Sequence, residues 1–539
     1  MQFIVLRPSH MILVCVLLII AGWAPPSAAQ PPADLCTAAA VSVAECTALL
    51  EFYARTGGEN WLTATNWLAA SPNAPCDWFG VTCQNNRVTA LELPRNQLRG
   101  NAFGPLPDFP GLRTLNLAGN QLIGPVPPTV CSLSKRNIAA NLSYNALFSR
   151  RSDTRTCLNR IDPDWVNTQA TPPRELRVGS ITANSITITW EPTTANLPDA
   201  YYAISYATDS GDTYTFHGRT TNAQSGAYTL DGLASGLSHR IQVELVVPIQ
   251  SANPAEVRSL ESTLVAVTQT NQSVLLMVYF PADNDLSPNL PIVLERLRRG
   301  TLLNPNAQVV ALMDGANTND SRLLAIDQGV VVNLDALATQ FGKNEVNSAA
   351  EEVLTWFITY ARSTYPADRE YLSIMGHGLA LAPELAWPEQ NSALAEAGLS
   401  SQLPALPKGM DATPGDVTDG GYMSTVALGR ALLAATANGT DPLDLIFFDQ
   451  CFQGNLDTLY EVRNSAEMFV ASPNYAWLAA PYDEYLALMA PANTPAQVAE
   501  AIVIRYQRNL NDRHPNAIFA ASATEIAAIA APPAISPMP

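Results

Sequence analysis

The distribution of the eight cysteines is the feature that most constrains this chain. Cys15 lies in an apolar leader, whereas six others cluster in the first third of the chain. Because each of the six has a neighbour close in sequence, we predict three local disulfides out of the fifteen pairings that six thiols allow: Cys36–Cys46, Cys76–Cys83 and Cys131–Cys157. The eighth, Cys451, stands alone. An unpaired thiol in an exported protein is a liability unless it is used.

Residues 1–29 are predicted to be a secretory signal peptide. Arg7 precedes the apolar run MILVCVLLII, and Ser27 and Ala29 supply small residues before an expected cut at Gln30. A membrane anchor is the alternative, but two prolines end the apolar run too early to span a bilayer. We therefore expect an exported protein with no membrane span after signal removal, secreted or outside the cell envelope. A net charge of −18 disfavours nucleic acid as a partner.

A sequence repeat covers residues 88–147. VTALELPRNQLRG and LRTLNLAGNQLIGPVPP share the frame LxLxxNxL, and IAANLSYNALF follows it. The asparagines of the frame, Asn96, Asn120 and Asn145, lie 24 and 25 residues apart. This period predicts a short leucine-rich-repeat solenoid over residues 30–160, in which the leucines fill a shared core and each Asn bonds the backbone.

The repeat is too short to stand without caps and disulfides. ALLEFYARTGGENW and CDWFGVTC precede it and are similar to the cap that such repeats carry, and GPLP and GPVPP resemble the plant-type subclass. Repeats of this kind bind partners, so we expect an unknown protein or glycan ligand; a rigid spacer is the equally weighted alternative.

Short strands with period-two alternation occupy residues 172–270. SITANSITITWEP, AYYAISYAT, GAYTLDGL and HRIQVELVV, separated by turn signals, predict an all-β sandwich. Their order resembles a fibronectin type III domain, with Trp190 as the core tryptophan. His239 stands where that family often carries a tyrosine, and we interpret it as structural.

Apolar strands alternate with helices over residues 273–539. VLLMVYF, AQVVALMD, REYLSIM, LDLIFFD, AEMFVAS and NAIFAAS are predicted strands, with helices in NSAAEEVLTWFITYARSTY and STVALGRALLAATAN. Continuous apolar strands with helices between them predict a mostly parallel sheet covered on both faces.

Two residue types suited to covalent catalysis follow two of these strands. His377 comes after REYLSIM, and Cys451 comes after LDLIFFD. Active sites of parallel sheets lie at the carboxyl ends of strands, so both are expected on one rim. A thiolate can attack a carbonyl while an imidazole shuttles the proton. We predict this pair as catalytic, with the amides of Gly378 and Cys451 as oxyanion donors; a buried structural cysteine is the alternative.

The same segments resemble the clostripain-type (C11) cysteine peptidases of the caspase-like clan. The resemblance covers about residues 273–525 and is carried by MVYFPADNDLSPNL, VVALMDG, LSIMGHG and LDLIFFDQCFQGNLDTLYEVRNSAEMFVASPNYAWLAAPYDEYL. It implies a caspase-like α/β/α sandwich, His377 and Cys451 as the dyad, and hydrolysis after Arg or Lys. The substrates would then be proteins or peptides with a basic P1 residue.

Further site residues follow from this resemblance. An acidic residue two positions before the cysteine helps to bind the basic side chain in that family, and Asp449 matches it, with a strand-end role as the alternative. Asp483 and Glu484 are weaker candidates for the same pocket. Relatives often cut themselves after a basic residue between the His and the Cys, which favours Lys408 in an exposed loop over Arg430 in a predicted helix.

Metal dependence and two rival functions stay open. Some relatives depend on calcium, but ADNDLSPN and DGANTND lack the regular ligand spacing of an EF-hand loop, so no metal ligand is assigned. One rival is a surface binding or adhesion protein with an inactive caspase-like domain, against which the presence of both His377 and Cys451 argues. The other is a peptidase with acidic P1 preference, against which Asp449 argues.

Overall fold

A computed structural model describes residues 35–37, 39–208, 213–378, 415–416, 421–473, 476, 480–513 and 527–530. The expected signal peptide, Lys408 and the expected strand NAIFAAS lie outside the described residues. The chain divides into two compact units, each described by itself. The amino-terminal unit is Met1–Gln169 with Ile249–Val257, and the carboxyl-terminal unit is Ala170–Pro248 with Arg258–Pro539.

The amino-terminal unit is built from short strands and three helices. Its described elements are α1 Val43–Arg55, β1 Val81–Gln84, β2 Arg87–Glu92, β3 Arg99–Gly100, β4 Thr114–Asn116, β5 Gln121–Pro125, α2 Cys131–Ser134, β6 Ala139–Asn141, β7 Ala146–Phe148 and α3 Ser152–Ile161. Strands β2, β4 and β6 pair in parallel, as do β3, β5 and β7. Successive turns of the chain therefore stack, and their leucines, including Leu91, Leu115 and Leu142, are fully buried.

Three disulfides close the two ends of this stack. The predicted pairs Cys36–Cys46, Cys76–Cys83 and Cys131–Cys157 are all confirmed. Cys451 is the one free cysteine among the described residues. Local spacing in the sequence was sufficient to predict these pairs, because each bridge spans at most 26 residues.

The first part of the carboxyl-terminal unit is the predicted β-sandwich. Its strands are β8 Arg174–Ile181, β9 Ile186–Glu191, β10 Tyr201–Ala207, β11 Thr215–Arg219, β12 Ala227–Leu230, β13 Ser238–Val247, β14 Val257–Arg258 and β15 Ser262–Val267. One sheet has the order β12-β9-β8; in the other, β10 lies between β11 and β13, and β15 pairs with β13. Trp190 packs edge-on against Tyr202 in the core. His239 is fully buried and bonds Leu237 O through Nδ1.

An eight-stranded sheet forms the centre of the second part of this unit. Its strands are β16 Val274–Pro281, β17 Ala307–Asp314, β18 Arg322–Asp327, β19 Val330–Asn333, β20 Arg369–Met375, β23 Leu443–Asp449, β24 Ala466–Ala471 and β25 Ala527–Ala530, with a separate pair β21 Gly415–Asp416 and β22 Gly421–Tyr422. The order is β19-β18-β17-β16-β20-β23-β24-β25. The five central strands are parallel, as predicted, whereas β18, β19 and β25 add antiparallel edges that the sequence analysis did not predict.

Helices cover both faces of this sheet. They are α4 Leu290–Leu303, α5 Ala336–Phe341, α6 Glu351–Thr364, α7 Thr425–Ala435, α8 Leu456–Val462, α9 Tyr482–Leu488 and α10 Pro495–Arg513. Side chains of β16 alternate between two cores: Leu276 and Val278 face α4, α9 and α10, whereas Met277 and Tyr279 face α5 to α8. The expected three-layer α/β/α sandwich is therefore present in the described residues.

Candidate active site

The two strands that carry the predicted dyad are neighbours in the sheet. β20 and β23 run parallel, and Met375 pairs with Asp449. His377 and Cys451 each lie two residues beyond that pair, so they leave the sheet at the same level of the same rim. Gln450 Nε2 donates a 3.0 Å hydrogen bond to His377 O and ties the two loops together.

Glycines allow the two loops to approach closely. A Cβ atom on residue 378 would lie 2.2 Å from Cys451 O, so only glycine fits at this position. Gly376 adopts φ +134°, which L side chains rarely adopt. Phe452, directly after the cysteine, also has a positive φ of 61°, a conformation that costs free energy in a non-glycine residue. The turns on both sides of the candidate site thus depend on unusual backbone geometry.

The imidazole of His377 has a carboxylate partner that the sequence analysis missed. Nε2 lies 2.6 Å from Asp285 Oδ1. Asp285 follows the end of β16, which pairs with β20, and so reaches the same rim. An Nε2–H donated to this carboxylate leaves Nδ1 as the acceptor nitrogen of the neutral ring. Asp285, like His377 and Cys451, follows the end of a parallel strand, and this position is the signal that could have pointed to it in the sequence.

The thiol of Cys451 is half-buried. Its Sγ accepts a hydrogen bond from Ala476 N at 3.4 Å and lies 3.7 Å from Ala476 O. Burial raises the pKa of this thiol, and the charge of Asp449 raises it further, whereas the Ala476 amide lowers it. The cysteine therefore needs a base to become a thiolate at neutral pH.

Asp449 is buried beneath the rim. Tyr482 Oη donates to its Oδ2 at 3.0 Å, and Ser373 Oγ lies 2.7 Å from the same phenol oxygen. Burial raises the pKa of Asp449 to about 7, against the lowering effects of the Tyr482 hydrogen bond and of Arg296. The pKa of this carboxyl group, two residues before the thiol, therefore lies close to neutral pH.

The two weaker pocket candidates have other partners. Asp483 pairs with Arg299 of α4 at 3.3 Å, and Glu484 pairs with Arg505 of α10. These ion pairs use their carboxylates to join helices on one face of the sheet. Each carboxylate thus already has a cationic partner, and a role for Asp483 or Glu484 in the substrate pocket stays a prediction.

The described part of the chain shows neither a metal cluster nor a membrane-spanning helix. There, no group of three or more His, Cys, Asp or Glu side chains could hold a metal ion. In the loop DGANTND, Asp320 accepts hydrogen bonds from Gly315 N and Asn317 N, so its oxygens stabilise the loop itself. None of the described helices is both long and apolar enough to cross a membrane.

Two protein-family models match segments of this chain. The sequence model of the Clostripain family matches residues 278–395 and 415–530, and that of the fibronectin type III domain matches residues 171–258. Clostripain from Hathewaya histolytica is 28% identical over 229 residues, which are 38% of this chain and 40% of that protein. The chain thus spans less than half of that relative.

Two further similarities concern separate parts of the chain. A leucine-rich repeat receptor protein kinase, EMS1 from Arabidopsis thaliana, is 40% identical over 77 residues, which are 14% of this chain and 6% of that protein. A solved structure of a secreted C11 cysteine protease from Bacteroides thetaiotaomicron, with an irreversible peptide inhibitor, is 21% identical, covers 48% of this chain and 66% of that chain, and has a TM-score of 0.35. The chain therefore carries a segment that matches the fibronectin type III domain, followed by a longer segment that matches the Clostripain family of cysteine peptidases.

Proposed function

We propose that this chain is an exported cysteine endopeptidase that cleaves peptide bonds after Arg or Lys. The observation that carries the proposal is the register of β20 and β23, which brings His377 and Cys451 to one level of one rim. Asp285 on the imidazole and Gln450 across the two loops support it. The three disulfides support an oxidising compartment outside the cytoplasm.

The reaction needs both members of the dyad. His377 Nδ1 takes the proton of the Cys451 thiol, and the sulfur attacks the scissile carbonyl to form a tetrahedral intermediate. The amides of Gly378 and Cys451 are the proposed donors to its oxyanion. The imidazolium then protonates the departing amine as the C–N bond breaks. Water, deprotonated by the same imidazole, hydrolyses the thioester and restores the thiol.

Asp449 is the proposed determinant of basic P1 specificity. A carboxylate in a partly desolvated site selects a guanidinium or an ammonium group by charge, and it would repel an acidic P1 side chain. Its position two residues before Cys451 keeps it close to where a P1 side chain would enter. The experiment on this proposal must therefore compare basic and acidic substrates.

The amino-terminal unit is proposed to be a short leucine-rich-repeat solenoid that locates the enzyme or its substrate. The stacked parallel strands and the buried asparagines at the repeat spacing support this assignment. Its ligand would be a protein or a glycan.

Paired fluorogenic peptides that end in Arg, Lys or Asp test the main proposal. They are assayed under reducing conditions, with and without calcium, and with Cys451→Ala as the control. We expect cleavage after Arg or Lys that vanishes in the variant. Folded protein that cleaves no peptide in either condition would favour the surface binding protein instead. Cleavage after Asp alone would refute the role of Asp449.

Self-processing at Lys408–Gly409 is a separate proposal, and this site lies outside the described residues. We expect wild-type protein to split there during storage at neutral pH and the Lys408→Ala variant to stay intact. Arg430→Ala is the matched control, because Arg430 lies in the same interval but within α7 and pairs with Glu351. Fragment masses decide the outcome: a Lys408→Ala chain that yields the same two fragments would exclude this site.

A further inference from the structure

Three buried side chains form a hydrogen-bond network beneath the candidate active site. Ser373 on β20, Tyr482 on α9 and Asp449 on β23 are each at most 7% exposed. An ionised carboxylate only accepts hydrogen bonds, so the single phenol proton of Tyr482 goes to Asp449 Oδ2. The hydroxyl of Ser373 must then donate to Tyr482 Oη across their 2.7 Å separation. The direction of the whole network is thus fixed by the charge on Asp449.

We infer that Tyr482, oriented by Ser373, is the positioning residue that keeps Asp449 ionised and aligned for a basic P1 side chain. The inference rests on the proposed function and deepens it, because it assigns the specificity of the site to a residue on α9. Tyr482 acts through Asp449 and touches neither the thiol nor the imidazole in this account.

The charges around Asp449 explain why it needs this partner. The groups that interact with it are Arg296 from α4, Tyr482 and Tyr485 from α9, and the thiol of Cys451. Burial raises the pKa of Asp449, and only Arg296 and the Tyr482 hydrogen bond oppose that rise. A neutral carboxyl group does not attract a cation, so loss of the donor, which raises the pKa of Asp449, leaves a larger fraction of it unable to bind Arg or Lys near neutral pH.

Tyr482→Phe tests the inference because it removes the hydroxyl and keeps the ring. The measurement is the pH profile of kcat/KM on an Arg substrate. Since the pKa of Asp449 rises when the donor is lost, we expect the acid limb to move up by about one to two pH units. Activity should fall about tenfold or more near pH 6.5 and recover above pH 9. A purely structural role would lower activity by the same factor at every pH.

Tyr485→Phe is the matched control. Tyr485 lies three residues later on the same helix and is fully buried, and its ring stacks edge-on against Tyr482 at 5.7 Å. Its hydroxyl has no hydrogen-bond partner among the described atoms. Removing that hydroxyl should leave the acid limb in place. If the acid limb moves as far in Tyr485→Phe as in Tyr482→Phe, the inference is overturned, because the loss of either phenol hydroxyl would then have the same effect on the pH profile.

Ser373→Ala completes the test through a double-mutant cycle. We expect the single variant to shift the limb in the same direction by a smaller amount, and to add nothing in the Tyr482→Phe background, since Ser373 acts only through the phenol. The alkylation rate of Cys451 by iodoacetamide verifies that each variant keeps its thiol site.

Different outcomes would overturn the inference about Tyr482 and the proposed peptidase activity. Wild type that cleaves Arg substrates, with an acid limb that Tyr482→Phe leaves unmoved, would overturn the inference and keep the proposed peptidase. A uniform loss with slower alkylation would also overturn it, in favour of a packing role. Wild type that cleaves nothing would overturn both.

Discussion

The two units contain buried polar networks of different kinds. In the amino-terminal unit, buried amide side chains at the repeat spacing form a ladder and bond almost entirely to backbone groups. The members of this ladder are Asn96, Asn120, Asn145 and Gln169. In the carboxyl-terminal unit, the Ser373–Tyr482–Asp449 network joins side chains to each other and ends in a carboxylate. The amide side chains of the ladder do not ionise, whereas the carboxylate that ends the network is a group whose charge can change. The first arrangement suits the stabilisation of a stack, and the second suits the proposed chemistry.

The cysteines of the two units differ in the same way, since one is proposed to act in catalysis and the others stabilise the fold. Their substitution gives the largest expected effects on activity and stability. Cys451→Ala should lower hydrolysis by about 10⁴-fold or more and leave thermal unfolding unchanged, because it removes the nucleophile and little packing. The double variant Cys131→Ser with Cys157→Ser should do the reverse. Its bridge closes a 26-residue separation, which gives about 3.5 kcal/mol of stabilisation in the chain-entropy account.

Calorimetry and peptide hydrolysis on both variants decide this prediction. Hydrolysis lost together with the bridge would break the contrast, since it would make the amino-terminal unit necessary for the peptidase. A lowered melting temperature of the Cys451→Ala protein would also contradict the contrast, because the thiol would then contribute to packing.

Asn120→Ala tests the ladder. Asn120 Oδ1 accepts from Asn96 N and Leu98 N, and its Nδ2 donates to Leu93 O and Leu117 O. The variant leaves these buried backbone groups without their partner, so we expect the local free energy of unfolding to fall by about 3 kcal/mol. Hydrogen exchange over residues 88–148 measures this loss.

Asn141→Ala is the control for the ladder, because Asn141 lies in the same repeat stack but is exposed and only accepts from Ser143 N. It should change the local free energy of unfolding by less than about 0.5 kcal/mol. Equal losses in the two variants would mean that the ladder position has no special role.

The sequence predicted the elements whose signal is local. Apolar runs located the five parallel strands, and short cysteine spacings located the disulfides. Strands β18 and β19 form a hairpin at the sheet edge and were both missed; every residue of β19, including Val330 and Val332, is exposed, so this strand has no pattern of burial to read. Gln169 was missed because it continues the ladder with a different amide residue after α3 has ended the repeat pattern.

Residues brought together by sheet order were harder to predict. Asp285 and His377 are 92 positions apart, and only the pairing of β16 with β20 joins them. Tyr482 lies in a helix whose packing against β23 no periodicity specifies. The sequence therefore predicted the two residues that carry the proposed chemistry, whereas the side chains that tune them depend on tertiary contacts.

Asp285→Ala has the smallest expected effect and sharpens the comparison most. The side chain of Asp285 is 67% exposed, so water screens its charge and its electrostatic effect on His377 is weak. Its contribution should be the hydrogen bond that selects the Nε2–H tautomer, and we expect kcat to fall about tenfold. Asp285→Asn keeps an acceptor oxygen without the charge and should retain most of the activity. A loss as large in Asn as in Ala would show that the charge itself is needed, and this exposed carboxylate would then join Asp449 as a group used for chemistry.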